Sequence, residues 1–255
     1  MTHILAIAMQ KGGVGKTTTA LNLGVNLATL GAKVLLIDID PQANLTTGLG
    51  LDPAQLEYSI YEVLLNPNQG FEFATTTTKA GPDLIPSTLA LAGAELELSG
   101  KVGREMLLKK ALKQAALSYD YILIDPPPSL GLFTLNALVA ATSVLVPLQV
   151  HVYALKAMPQ LEATIELARE LNPGLAVGGI VPTFSDRRTT LSGVVEKQIR
   201  DLYGELVFNS VIPLNTRLAE APAAGEPINL YAPESAGAKA YRTLAQEVKE
   251  RYHHA

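Results

Sequence analysis

The segment Lys11-Gly12-Gly13-Val14-Gly15-Lys16-Thr17-Thr18 constrains this chain more than any other, because it joins two elements of different period. Before it, Ile4 to Met9 is an unbroken apolar run and reads as a buried strand. After it, Thr17 to Leu30 reads as a helix, with Leu21, Leu23, Leu27 and Leu30 as apolar positions and Gly31 as the stop. A glycine-rich turn between strand and helix points successive backbone N–H groups inward, at the positive end of the helix, and so cradles a phosphate chain. Lys16 then reaches the terminal phosphates of a nucleotide, and the Thr17 hydroxyl ligates Mg2+. The common spacing Gly-x-x-x-x-Gly-Lys-Ser/Thr fails at its first position, where Gln10 stands. In its place the loop carries a second lysine, Lys11.

Similar strand-like runs recur at Val34–Ile37, Tyr121–Ile124, Val144–Val146, Val177–Val181 and Val207–Ile212, most of them separated by helical stretches. Apolar on both faces, they suit the interior of a parallel sheet covered by helices. The expected fold is α/β: a single doubly wound, mostly parallel sheet flanked by helices, forming one domain over residues 1–255. No linker, repeat or low-complexity tract interrupts it. Between Pro53 and Pro82 the pattern does not set the element boundaries.

The chain has no cysteine, which excludes disulfides and thiolate metal sites. The first strand begins almost at Met1, leaving no room for a signal peptide, so a cytoplasmic location is expected. The most apolar window, Leu132 to Leu155, is broken by Thr134, Asn136, Thr142, Ser143, Pro147 and Gln149, and reads as a packed helix followed by a strand. Net charge is −4, so attraction to nucleic acid has to come from a local basic patch.

Lys-Gly-Gly-x-Gly-Lys-Thr-Thr resembles the loop of the deviant Walker A ATPases, and the rest of the chain resembles their ParA/Soj partition branch. Val34 to Asn44, with Asp38 and Asp40, is similar to that family's second strand and its acidic turn. Tyr119 to Pro128, with Asp125, is similar to its Walker B strand. Ile212-Pro213-Leu214-Asn215-Thr216-Arg217-Leu218-Ala219-Glu220-Ala221-Pro222 resembles a late segment of the partition branch. The matches run in order from residue 4 to about residue 248 and imply a P-loop ATPase using ATP and Mg2+. The missing cysteines set the chain apart from the iron–sulfur branches of the same superfamily.

The resemblance implies a role for each matching residue. Gly12, Gly13, Val14, Gly15, Lys16, Thr17 and Thr18 hold the phosphates. Lys11 crosses a dimer interface to the partner's nucleotide, much as an arginine finger does. Asp40 positions the attacking water and, with Thr17 and Asp125, belongs to the Mg2+ site. Thr183, Pro213 and Asn215 line the adenine pocket. From the residues alone, Asp38, Asp40 and Asp125 are equally at home as turn or helix caps, and Lys11 as a solvated lysine.

For DNA the candidates are Arg187, Arg188, Lys197, Arg200 and Arg217, any of which also fits an ordinary solvated surface. Thr190 to Tyr203 reads as an amphipathic helix with Leu191, Val194, Val195, Ile199 and Leu202 inward, and Lys197 and Arg200 share a face. The resemblance implies that Lys197, Arg200 and Arg217 contact the DNA backbone without sequence preference. It also implies a homodimer formed with ATP, a ParB/Spo0J-like stimulating partner and a nucleoid-associated location. The N-terminal helix-turn-helix extension of larger members is not expected. The family often has Glu and an aromatic residue where His151 and Val152 stand, and Glu and Gly where Lys156 and Ala157 stand. His151 reads as an interface or core histidine. A MinD-like membrane role would need a bulky amphipathic C-terminus, whereas Ala236, Ala240, Leu244 and Val248 form a small-residue stripe suited to packing.

Overall fold

The computed structural model describes residues 2–113, 118–129, 131–151, 155–186 and 188–253. Seven strands form one sheet: β1 (His3–Ile7), β2 (Val34–Asp38), β3 (Thr76–Thr77), β4 (Asp83–Ile85), β5 (Tyr121–Asp125), β6 (Ser143–Gln149) and β7 (Ala176–Thr183), in the spatial order β3-β4-β2-β5-β1-β6-β7. Every pairing is parallel except β3 with β4. The α/β expectation therefore holds, with one short antiparallel edge added. The sequence reading had missed β3 and β4, which are two and three residues long and carry little apolar signal.

The helices are α1 (Lys16–Thr29), α2 (Asn44–Gly48), α3 (Ile60–Leu65), α4 (Leu91–Leu98), α5 (Leu107–Ala111), α6 (Leu132–Ala140), α7 (Met158–Arg169), α8 (Thr190–Tyr203), α9 (Thr216–Glu220), α10 (Ile228–Tyr231) and α11 (Ala236–His253). One sheet face buries Ile122, Ile124, Val144 and Val146 against α3 to α8. The other buries Leu5, Ile7, Leu36 and Leu123 against α1, α10 and α11. The strands are apolar on both sides because both sides are covered. On the second face polar groups fix the helix register: the Asn22 side chain accepts from the Ile228 N–H at 2.8 Å, and the hydroxyls of Thr19 and Tyr241 lie 3.1 Å apart.

Two expectations require correction. Val207–Ile212 is not a strand. It touches β7 through the Phe208 N–H to the Ile180 carbonyl and the Ile212 N–H to the Pro182 carbonyl. Between these contacts the Ser210 N–H turns to the Glu247 carboxylate, so no ladder forms. In α8 only Val195 and Ile199 of the five apolar residues are buried, whereas Leu191, Val194 and Leu202 are exposed. The apolar stripe is real, but α8 lies beside the edge strand β7, and only one margin of the stripe meets the core.

The window from Leu132 forms α6 and then β6, as expected. In α11, Leu244 and Val248 are buried with Ala238, Tyr241 and Ala245, but Ala236 is exposed. No helix among the described residues is long and apolar enough to cross a membrane.

Candidate active site

The phosphate loop connects the carboxyl end of β1 to α1. Gly13 and Gly15 have φ of +71° and +91°, left-handed conformations that glycine adopts without a Cβ penalty. Gly15 occupies the cap position of α1, and no side chain satisfies the N–H groups of the first turn. Those donors therefore face the cavity in front of the helix, together with the positive end of its dipole. The cavity measures about 490 Å3 and is lined by Gly13, Gly15, Lys16, Thr17 and Thr18, closed on the far side by Asn44, Thr47 and Pro222.

Three carboxylates converge behind this loop. Asp38 and Asp125 end β2 and β5 in direct register, and Asp40 follows two residues later. Asp38 is fully buried and accepts from the Thr46 N–H (2.9 Å), the Thr46 hydroxyl (2.7 Å) and the Asp40 N–H (3.2 Å). Burial nevertheless pushes its carboxyl up to about 6. Asp125 is equally buried, and neither of its oxygens completes a hydrogen bond of ordinary geometry within the protein, although the Thr17 hydroxyl sits close enough to favour ionisation. Burial, then repulsion from Asp38, raises its pKa well above the usual carboxylate range, against the pull of Lys16. Lys16 is itself buried, which lowers its pKa, while Asp125 and Asp40 hold it charged. Asp40 spends one oxygen on the Gln42 N–H at 2.9 Å.

An orphaned buried carboxylate beside a threonine hydroxyl and a phosphate cradle fits a divalent cation. Among the described residues, no three acidic or histidine side chains form a metal cage. This agrees with Mg2+, which keeps several waters and takes its other oxygens from substrate phosphates. Thr17, Asp125 and Asp40 are the residues that would hold it.

A second cavity of about 260 Å3 shares Gly15 and Thr18 with the first, and Thr183, Pro213 and Asn215 all line it. The structure thus brings these three predicted residues together beside the phosphate loop. The Thr183 hydroxyl donates to the Val14 carbonyl at 2.9 Å, tying the end of β7 to the loop. Sequence reasoning had missed Phe184, Leu218 and Tyr241 in the same lining. Phe184 has φ +53°, an uncommon conformation for a bulky side chain, and its ring would lie 3.4 Å from a Cβ placed on Gly15. Asn44 and Thr47 had also been missed, although they follow soon after Asp40.

Lys11 is exposed and does not line its own phosphate cavity. Its Nζ donates to the Gln149 side-chain oxygen at 3.1 Å, across the end of β6. The predicted DNA cations do not form one cluster of free charges. Lys197 pairs with Asp201 (2.6 Å), Arg200 with Glu196 (3.0 Å), Arg217 with Glu220 (2.8 Å) and Arg188 with Asp186 (2.8 Å). Arg200 also donates to the Phe208 carbonyl at 3.2 Å, so it braces the segment after α8. Arg187 and Val152 lie outside the described residues. His151 and Lys156 are exposed, which removes the core reading of His151.

Comparison with known proteins decides the family. The chain is 47% identical over 249 residues to the sporulation initiation inhibitor protein Soj of Bacillus subtilis, covering 97% of this chain and 98% of that protein. The chain belongs to the ParA/Soj family. A family model described as an AAA domain matches residues 2–177. The chromosome partitioning protein ParA of Caulobacter vibrioides is also 47% identical, over 98% of this chain and 94% of its own length. Among solved structures, cobyrinic acid a,c-diamide synthase from Mycobacterium smegmatis, with bound ATP analogue and magnesium, superposes with a TM-score of 0.86. It is 40% identical, covering 99% of this chain and 96% of that one. The septum site-determining protein MinD of Pyrococcus horikoshii, complexed with Mg-ADP, gives a TM-score of 0.80 at 27% identity, over 97% and 96% of the two chains. The sheet order and phosphate loop are thus those of a ParA/MinD-type P-loop ATPase.

Proposed function

We propose that this protein is an ATP-driven switch for chromosome or plasmid partition. ATP with Mg2+ joins two copies into a dimer that binds DNA without sequence preference, and a ParB/Spo0J-like partner triggers hydrolysis and release at the nucleoid. One observation carries the reading: beside a built phosphate cradle stands Lys11, exposed and outside the lining of its own cavity. A lysine so placed is available to a neighbouring copy's nucleotide, which makes dimerisation depend on ATP.

Lys16 and the first-turn N–H groups of α1 hold the β and γ phosphates, and the cavity beside Phe184 takes the adenine. Asp40, fixed through the Gln42 N–H, orients the attacking water with its other oxygen. Thr17, with Asp125 and Asp40 behind it, would hold Mg2+, which would supply positive charge beside the phosphates. Lys11 of the second copy adds positive charge where the transition state gathers negative charge. Hydrolysis removes the phosphate that both copies share, so turnover undoes the dimer.

The Mycobacterium smegmatis relative raises a metabolic alternative. The partition proteins Soj and ParA match this chain at higher identity, 47% against 40%, which favours the partition reading. A MinD-like anchor on α11 is disfavoured because its apolar face packs on α1. Phosphate release, with gel shifts on unrelated duplexes in the presence and absence of ATP, tests the proposal. Shifts that need ATP support it, and sequence-selective or ATP-indifferent shifts refute it.

A further inference from the structure

A groove of about 720 Å3 runs between the turn that follows α3 and the segment from Lys101 to Lys113. It lies toward the amino ends of the parallel strands. Lys109 donates to the Leu171 carbonyl in the connection that enters β7, whereas the phosphate loop leaves the carboxyl end of β1. Lys101, Lys109, Lys110 and Lys113 line the groove, all four exposed, and no carboxylate lines it. Lys101 spends one donor on the Leu65 carbonyl at 3.0 Å. Among the described residues Lys110 and Lys113 have no ion-pair or hydrogen-bond partner, and the nearby Glu105 is already taken by Arg104 at 3.0 Å. The contrast with Lys197, Arg200 and Arg217, each beside its own carboxylate, is direct.

Two apolar side chains sit between these lysines. Val102 is fully exposed and Met106 is 39% exposed. Lysine stems and such residues together make a surface with an apolar floor and a cationic rim. We propose that this groove docks a short acidic segment of a partner protein, with carboxylates on the lysines and an apolar side chain over Val102 and Met106. The volume is that of a recess for a few residues of chain. A duplex would meet the lysines but leave the two apolar side chains unused. The surface is independent of the phosphate loop and of the dimer contact assigned to Lys11, so a second partner can engage without displacing nucleotide.

The test uses a fluorescein-labelled octapeptide of glutamates with leucine third and sixth, and the same peptide with glutamine for every glutamate. Anisotropy is measured on the full chain without nucleotide, with a labelled duplex alongside. The glutamate peptide is expected to bind roughly tenfold tighter than the glutamine peptide at about 50 mM salt and to weaken at about 300 mM. Lys110→Glu with Lys113→Glu is expected to cost at least roughly tenfold, with unchanged melting temperature and unchanged ATP-dependent dimerisation. Equal binding of the two peptides, no binding of the glutamate peptide, or full binding by the double variant overturns the proposal. Loss of duplex binding alone in that variant also overturns it and makes the groove a nucleic-acid surface.

Discussion

Asp38 and Asp125 face each other in register at the carboxyl ends of β2 and β5, yet only Asp38 is satisfied. Asp38 accepts three hydrogen bonds, two of them from Thr46, while Asp125 has none of ordinary geometry. Two buried acids with such unequal partners carry an electrostatic cost in the protein alone. Their titration in the protein alone reports it.

Both carboxyls have folded pKa values raised above the unfolded 3.8, Asp38 to about 6. Between pH 3.8 and 6 the folded state therefore binds more protons than the unfolded state, and stability rises as pH falls through that window. Without nucleotide, the melting temperature is expected to increase from pH 8 to pH 5. Asp186, held down to about 2 by Arg188, loses its own contribution only below 3.8, outside this range. Asp125→Asn is expected to flatten this pH dependence, because it removes one of the two raised carboxyls. Thermal melts across pH check both statements, and a variant whose melting temperature climbs as steeply as its parent's from pH 8 to pH 5 would contradict the second.

Lys16→Ala removes the buried charge that faces the phosphates and is expected to abolish productive ATP binding. Lys11→Ala removes only an exposed side chain held by Gln149, so nucleotide affinity should persist while ATP-dependent dimers disappear. Light scattering with fluorescent-nucleotide titration separates the two. A Lys11→Ala protein that dimerises like its parent would exclude the cross-dimer role.

Asp40→Ala leaves the phosphate cradle intact but removes the carboxylate that orients water. Turnover is expected to fall by about a hundredfold or more, with ATP-bound dimers accumulating. Single-turnover phosphate release measures this directly. Hydrolysis at the parental rate, still stimulated by the partner, would rule the assignment out.

Replacing Arg200 and Arg217 together by glutamate is expected to abolish DNA binding while ATP-dependent dimers still form. Each lost phosphate contact should lower the salt slope by about 0.9. Arg200 also braces the Phe208 carbonyl, so Arg200→Glu should cost stability that Arg217→Glu does not. Gel shifts at several salt concentrations, paired with melts of the two single variants, resolve these effects. Undiminished binding by the double variant would move the DNA surface elsewhere.

Local order made much of this protein legible in its sequence. The loop from Lys11 to Thr18 needs only neighbouring residues to form, and β1, β2, β5, β6 and β7 announce themselves as apolar runs because both sheet faces are covered. Thr183, Pro213 and Asn215 were named only through resemblance, and the fold gathered them around one cavity. What tertiary structure alone decided depends on partners distant in sequence. The margin of the α8 stripe that meets the core follows from its seat beside an edge strand, so Leu191, Val194 and Leu202 ended outside. The parking of Lys11 on Gln149 follows from β1 lying beside β6, and the meeting of Asp38 with Asp125 from β2 lying beside β5. A side chain's solvation and charge are set by whatever the fold brings beside it. Sequence period fixes where a residue stands along its own element, and the crossing of elements fixes what it meets there.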